Sequence, residues 1–145
     1  MNQEDPIMEF AYRLERPLQD ENIEWLVDHC AKDVIFLDPF NELSGPTGYR
    51  AMLNDVRERC REFQFTWCHT QTSNNVLMGR WKMTFIPTTS HKTWVIRGMS
   101  ELTFNDGLLC RHEDHWDPGS QIFVHVPWIG RLWRFVYRRL KINQG

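Results

Sequence analysis

The chain has 145 residues, a formal net charge of −2 and an aromatic content of 13%, with seven Trp and nine Phe. This length fits one domain with a substantial core, and the small negative charge gives no global basis for nucleic-acid binding. No apolar run approaches the roughly 20 residues of a membrane span. The four cysteines are scattered without a C-x-x-C pair and no leader opens the chain, which predicts a reduced, cytoplasmic protein.

Two amphipathic helices are predicted at the start of the chain. From about Asp5 to Glu15, apolar residues recur at helical spacing, and Pro6 suits the first turn. A second helix is expected from the capping residues Asp20 to Asn22 through roughly Cys30.

A short strand and a third helix follow. The β-branched run 34–37 predicts a strand that stops at Asp38-Pro39, because proline cannot donate to a strand ladder. Thr47 is expected to begin a helix that runs to about Glu62. The predicted inward stripe of this helix is Met52, Leu53, Val56 and Cys60.

Long strands make up the next part of the chain. Residues 63–70 alternate apolar and polar side chains, Asn74-Asn75 predicts a turn, and residues 76–87 and 93–104 are long strand candidates. Asn105-Asp106-Gly107 then predicts a tight hairpin, because Gly adopts the positive φ that such turns require. Helices followed by a strand meander indicate an α+β domain, with a curved antiparallel sheet wrapped by the N-terminal helices.

The last strand carries polar side chains among apolar ones. Strand alternation predicts that Leu108, Cys110, His112, Asp114 and Trp116 share one face. Apolar bulk combined with an imidazole and a carboxylate is more typical of a pocket wall than of a dry core.

The order of these elements resembles the NTF2-like, SnoaL-like superfamily, whose cone-shaped α+β fold is shared with ketosteroid isomerase. The matching segments are 34–39, 98–107 and 112–118, and the resemblance covers roughly residues 5–117, which leaves residues 118–145 as a C-terminal extension. It implies a dead-end conical pocket and frequent homodimerisation through the outer sheet face. It also implies a wide range of functions, from isomerases, cyclases, dehydratases and epoxide hydrolases to non-catalytic binding modules.

Only some of the functional residues of the isomerase-like members are matched in this sequence. Asp38 matches the position of their general base, in the same Asp-Pro context. Ser100 stands where they have a protonated acid for the oxyanion, and Leu14 stands where they have a tyrosine. A steroid-type oxyanion hole is therefore not expected, and ketosteroid isomerisation is not predicted.

Three residues are the candidate catalytic groups. Asp38 at the mouth of an apolar pocket could act as a base, since desolvation disfavours its charge; alternatively, its side chain caps the Asp-Pro turn. His112 and Asp114 are two residues apart on one strand, so their side chains are neighbours on one face. They could orient a ligand, or they could bond each other within an internal hydrogen-bond network.

Six further residues are predicted to line the pocket, with plain core packing as the alternative for most of them. Although His112, Asp114 and Asp38 include ligand types for zinc or iron, no spacing-specific metal motif is present, and no metal or other cofactor is predicted. The six predicted lining residues are Trp81, Met83, Phe85, Trp94, Ser100 and Trp116.

The extension is predicted to hold a basic amphipathic helix that Pro127 can start. Its apolar stripe is flanked by five Arg and Lys residues and contains no acid. Such a helix either binds a membrane surface or an anionic partner, or packs across the sheet or onto a second subunit. The apolar stripe consists of Ile129, Leu132, Trp133, Val136, Tyr137 and Leu140.

The sequence therefore predicts an NTF2-like homodimer that binds a small hydrophobic molecule in a conical pocket and has acid/base activity of the isomerase, dehydratase or hydrolase type. The alternative is a non-catalytic, dimeric interaction module whose basic C-terminal helix docks a partner or a membrane surface. Nucleic acid is not an expected partner.

Overall fold

The computed structural model describes residues 5–142. They form an open six-stranded sheet in the order β2-β1-β6-β5-β4-β3, together with five helices. The strands are β1 (Cys30–Leu37), β2 (Glu42–Ser44), β3 (Cys60–Ser73), β4 (Val76–Pro87), β5 (Trp94–Asn105) and β6 (Leu108–His115). The helices are α1 (Pro6–Leu14), α2 (Asp20–Asp28), α3 (Gly45–Arg59), α4 (Pro118–Gln121) and α5 (Ile129–Leu140), with a 3-10 turn at Phe123–His125 before α5.

The first three helices bury apolar stripes against one face of the sheet. Asp5 begins α1, because its Oδ1 accepts a hydrogen bond from the Ile7 backbone N–H at 3.0 Å. Phe10 of α1 is 1% exposed and contacts the rings of Trp25, Tyr49 and Phe104, so it joins three elements in the core. This arrangement confirms the predicted α+β class with helices on one sheet face.

Both predicted hairpin turns are confirmed. Asn74 and Asn75 have φ values of 48° and 62°, and Asp106 and Gly107 have φ values of 48° and 77°. Two successive positive φ values match the twist of antiparallel strands, which explains the choice of Asn, Asp and Gly. The sheet is nevertheless mixed, since β1 pairs with β6 in parallel while the other neighbours are antiparallel.

A β-bulge changes the predicted alternation of β6. Thr103 pairs with Arg111 but Phe104 pairs with Leu109, so Cys110 is an extra residue in the ladder. Leu109 is therefore fully buried in the core, whereas Leu108 is 38% exposed. The predicted inward position is wrong for Leu108 and Cys110, and it holds for His112, which lies beyond the bulge.

The C-terminal helix packs on the segment just before it and not across the sheet. The Trp133 ring stacks on Phe123 with ring centroids 5.9 Å apart, and the Tyr137 hydroxyl donates to Asp117 Oδ2 at 3.2 Å. α4 is in turn fixed to β5, because the Gln121 side chain bonds both the N–H and the C=O of Arg97. The last three residues of the predicted extension lie outside the described residues.

Asp117 links α4 to α5, and acid should loosen this link. Hydrogen bonds from Ser120, Tyr137 and Gly119 lower the pKa of Asp117 below its ordinary value. A lowered folded-state pKa means that the carboxylate stabilises the link above the ordinary value of 3.8 and stops doing so as the pH falls through the folded-state value. We expect the NMR signals of the Tyr137 ring to shift below about pH 4. In Asp117→Asn this shift should be absent, and an identical titration in both proteins would contradict the assignment.

The cysteines should differ widely in reactivity. Burial raises the pKa of Cys30 to about 12 and that of Cys60 to about 11, so both stay as thiols at neutral pH. Cys68 is exposed on β3. Brief maleimide labelling of the native protein, followed by peptide mass spectrometry, should modify Cys68 first and Cys30 only after unfolding. Equal labelling of Cys30 and Cys68 in the native state would show that the core around Cys30 is open.

Candidate functional site

A cavity of about 170 Å³ lies between the helices and the inner face of the sheet. Eleven of its fourteen lining residues are apolar, and the three others are Asp38, His112 and Asp114. The apolar lining comes from α1 and the loop after it, from α3, and from strands β1, β3 and β4. Trp116, just after the end of β6, completes it. These residues are Leu14, Leu18, Phe36, Met52, Leu53, Val56, Phe63, Phe65, Trp81, Met83 and Trp116.

A hydrogen-bonded chain of five side chains runs behind the polar part of the cavity. Tyr49 Oη lies 2.8 Å from His112 Nδ1, and His112 Nε2 lies 2.8 Å from Asp114 Oδ1. The Ser100 hydroxyl donates a short hydrogen bond to the same Asp114 oxygen, and Ser100 Oγ accepts from Trp81 Nε1 at 2.7 Å. The chain joins α3 to three neighbouring strands and fixes the orientation of the Asp114 carboxylate.

The partners of His112 determine its tautomer. Burial raises the pKa of Tyr49 well above its ordinary value, so its hydroxyl keeps its proton and can donate to His112 Nδ1. In the tautomer that accepts this hydrogen bond, the imidazole proton is on Nε2 and is donated to Asp114. Both imidazole nitrogens are thus occupied by internal partners, which makes His112 a positioning group in this structure.

Asp114 keeps one oxygen available. Both of its side-chain hydrogen bonds end on Oδ1, and Oδ2 accepts none from the described residues. The side chain is 20% exposed and lines the cavity. A carboxylate with one fixed oxygen and one free oxygen beside apolar walls has the geometry of a general base.

Asp38 lies at the mouth of the cavity and caps a turn. Its Oδ1 accepts from the backbone N–H groups of Phe40 at 2.8 Å and Asn41 at 2.7 Å, as the turn-capping alternative requires. Asp38, Asp114 and Trp116 line both the cavity and an open outer groove of about 340 Å³. These three side chains therefore stand where the cavity meets the surface.

The predicted lining residues have three different positions. Trp81, Met83 and Trp116 line the cavity. Phe85 and Trp94 do not line the cavity: Phe85 is buried with Trp81 and Ile96 in an apolar cluster behind the cavity wall, and Trp94 packs against this cluster. Ser100 is 3% exposed and lies behind Asp114. Its hydroxyl bonds the Asp114 carboxylate, and the residue does not line the cavity.

Tyr49 is the main site residue that the sequence prediction missed. The predicted stripe of α3 started at Met52, but Tyr49 lies one turn earlier on the same face, three residues before Met52 and four before Leu53. Extending the helical spacing by one turn would have found it. Its partner His112 is 63 residues away, and the helical pattern holds no signal for that contact.

The described residues contain no cluster of potential metal ligands. Across residues 5–142, no three His, Cys, Asp or Glu side chains come together in a way that could hold a metal ion. His112 and Asp114 bond each other at 2.8 Å, and Asp38 is held by its own turn.

The sequence pattern of the SnoaL-like domain family matches residues 13–112. The chain therefore belongs to the SnoaL-like domain family. None of the curated proteins matches it significantly.

Solved structures confirm the NTF2-like fold. A protein with a ketosteroid isomerase-like fold from Catenulispora acidiphila, in complex with trimethylamine, has a TM-score of 0.70 at 9% identity, with 79% of this chain and 89% of that chain covered. An NTF2-like protein of unknown function from Burkholderia pseudomallei has a TM-score of 0.71 at 13% identity, covering 82% and 96%. A candidate SnoaL-like polyketide cyclase from Shewanella putrefaciens has a TM-score of 0.67 at 15% identity, covering 83% and 98%. At these identities the likeness establishes the fold alone.

Proposed function

We propose that the protein binds a compact, mainly apolar molecule in the cavity and that Asp114 acts on it as a general base. The observation that carries this proposal is the unused Asp114 Oδ2 beside an apolar cavity, while Oδ1 is held by His112 and Ser100. Of the three polar residues in the lining, only Asp114 combines such an oxygen with internal support. His112, Ser100 and Tyr49 are positioning residues.

The cavity volume limits the ligand. At about 170 Å³ it is smaller than the roughly 300 to 1,000 Å³ of pockets for drug-sized ligands. It is close to the roughly 150 Å³ of an engineered apolar cavity that holds benzene. A single ring or a branched molecule of similar size therefore fits, whereas a fused steroid would require the mouth at Trp116 to open. The complex of the Catenulispora acidiphila protein with trimethylamine is an example of a compact ligand on this fold.

The supported reaction is proton transfer at an activated C–H bond. Asp114 Oδ2 takes the proton, and the electron pair of the C–H bond moves toward a neighbouring carbonyl of the ligand. The protonated carboxyl then returns a proton to the same or another carbon, either the original proton or one that it has exchanged with water. Only the abstraction of the proton is shared by isomerases, aldol-type cyclases and dehydratases; return of the proton to carbon completes an isomerisation. A base of this kind contributes about 100- to 10,000-fold to a reaction rate.

Cyclohexanone in D₂O tests both parts of the proposal. NMR would follow ligand binding and the exchange of the protons next to the carbonyl, with wild type, Asp114→Asn and the matched variant Asp38→Asn. We expect all three proteins to bind, and we expect Asp114→Asn alone to lose acceleration, by about 100-fold or more. Asp38→Asn should remain active, because the carboxamide oxygen of the new side chain can still accept the hydrogen bonds of the turn.

Other outcomes of this experiment separate the alternatives. No binding of cyclohexanone by wild type would contradict the ligand site itself. Binding without acceleration, or equal acceleration by Asp114→Asn, would contradict the base and favour a non-catalytic binding module. Loss of acceleration in Asp38→Asn alone would transfer the role to Asp38.

The predicted homodimer remains a prediction. Met78, Val95 and Met99 are exposed on the outer face of β4 and β5, where the resemblance implies that subunits associate. Analytical ultracentrifugation of wild type and of Met78→Lys combined with Met99→Lys would test this face, because two added charges at a subunit contact should dissociate it.

A further inference from the structure

Helix α5 exposes half of its apolar stripe. Ile129, Leu132 and Leu140 are 49%, 64% and 74% exposed, and Trp128 just before the helix is 82% exposed. At 3.6 residues per turn, Leu132, Val136 and Leu140 follow each other along one side of the helix. Leu132 and Leu140 of this row are exposed, and Val136 between them is half-buried. Exposed apolar side chains grouped in this way mark interaction sites.

The contacts of α5 to the protein use only part of its apolar stripe. Gly130 is buried, the Trp133 ring stacks on Phe123, and the Tyr137 hydroxyl bonds Asp117. Arg134 adds a hydrogen bond to the carbonyl of Val124. These anchors hold one edge of the apolar stripe against the domain, while Leu132 and Leu140 remain exposed.

The charge around this row is strongly positive. Residues 118–145 contain four Arg and one Lys and no Asp or Glu. The whole chain has 17 Lys and Arg and 19 Asp and Glu, so the first 117 residues hold 12 cations against all 19 acids, a net charge of −7. The cationic helix is thus segregated from an acidic body, which favours an anionic docking surface over a neutral one.

Aromatic contacts connect this helix to the candidate site. Trp116, which lines the cavity, contacts the ring of Phe40 with centroids 5.6 Å apart, and Phe40 contacts Phe123 at 6.2 Å. Phe123 in turn stacks on Trp133 of α5 at 5.9 Å. Two aromatic rings, Phe40 and Phe123, therefore connect Trp116 at the cavity mouth to α5 and to any surface that binds it.

We propose that α5 docks the protein onto an anionic lipid membrane surface. The exposed side chains of Trp128, Leu132 and Leu140 would enter the boundary between headgroups and acyl chains, and the arginines would pair with anionic headgroups. The helix would lie on the membrane, because none of the described helices is long and apolar enough to cross it. A nucleic acid would pair with the cations but would leave the exposed apolar side chains in water. A lipid surface would contact both, so it fits the helix better than a nucleic acid does.

Vesicle flotation with the full-length protein tests this proposal. We expect binding to phosphatidylcholine vesicles with about 30 mol % phosphatidylserine, more than about tenfold weaker binding to pure phosphatidylcholine, and loss of binding as salt is raised. Leu132→Ser with Leu140→Ser, and separately Arg131→Gln with Arg138→Gln and Arg139→Gln, should each lower binding by more than about tenfold. Because these side chains lie outside the core, circular dichroism should show unchanged folding.

Matched controls change equal numbers of exposed side chains elsewhere. Met8→Ser with Tyr12→Ser, and Lys32→Gln with Lys82→Gln and Lys92→Gln, should bind the phosphatidylserine vesicles as wild type does. No binding by wild type, or equal losses in the controls, would overturn the proposal. It would also be overturned if, without lipid, the Leu132→Ser, Leu140→Ser variant dissociated a dimer, since a second copy would then cover the helix.

Discussion

Trp81→Ala should lower the free energy of unfolding by about 3–5 kcal/mol, the largest loss that we expect from a single change at the site. Trp81 is 2% exposed and serves two regions at once: it packs with Phe85 and Ile96 and it forms part of the cavity wall. Its indole also lies where a β-carbon on Gly98 would be only 2.5 Å away, so the ring occupies the space that the missing side chain of this glycine leaves open. Urea denaturation followed by circular dichroism measures the loss.

The same substitution should also enlarge the cavity and admit a ligand of about two rings. Trp81→Phe is the matched variant, because it keeps much of the apolar bulk and loses only the hydrogen bond to Ser100, at an expected cost of about 1 kcal/mol plus a small packing loss. Trp128→Ala, at a site that is 82% exposed, should change stability by less than about 0.5 kcal/mol. A loss below about 1 kcal/mol for Trp81→Ala would mean that the indole is not packed as described.

Tyr49→Phe should destabilise the protein by about 1–3 kcal/mol although it removes only one oxygen atom. Tyr49 and His112 are 1% and 6% exposed, so water cannot readily replace the lost hydroxyl at His112 Nδ1. The imidazole would keep Nε2–H on Asp114 and leave Nδ1 without a donor. Urea denaturation gives the energy, and the ¹⁵N NMR signals of His112 report the changed environment of Nδ1.

Tyr12→Phe is the control for this prediction, because Tyr12 is 52% exposed and its hydroxyl is open to water. We expect a change of less than about 0.5 kcal/mol there. If Tyr49→Phe were as stable as wild type and left the His112 signals unchanged, the hydroxyl would not support the imidazole. The chain of hydrogen bonds behind Asp114 would then begin at His112.

Local signals in the sequence predicted the elements well. Asn74-Asn75 and Asp106-Gly107 specify their turns through φ values that few other residues adopt, and Asp5 specifies the start of α1 through its own side chain. The bulge at Cys110 is different. Its position depends on how β6 aligns with β5 across the turn, so simple alternation placed Leu108 inside and left out Leu109.

The candidate site was predictable only in part, because its function depends on which atoms meet. Strand alternation beyond the bulge placed His112 and Asp114 on the inner face, and the sequence named them as a pair. That Ser100 and His112 bond the same oxygen of Asp114, and so leave Oδ2 free, is a consequence of three-dimensional geometry. The exposure of Leu132 and Leu140 on α5 likewise depends on where the 3-10 turn directs the helix.

The most direct test of the account is a crystal structure of the protein with bound cyclohexanone. We predict the ring inside the cavity, with the carbon next to its carbonyl within about 3.5 Å of Asp114 Oδ2, which is the distance that proton transfer requires. A ring bound only in the outer groove, or inside the cavity but turned away from Asp114, would contradict the assignment of Asp114 as the base.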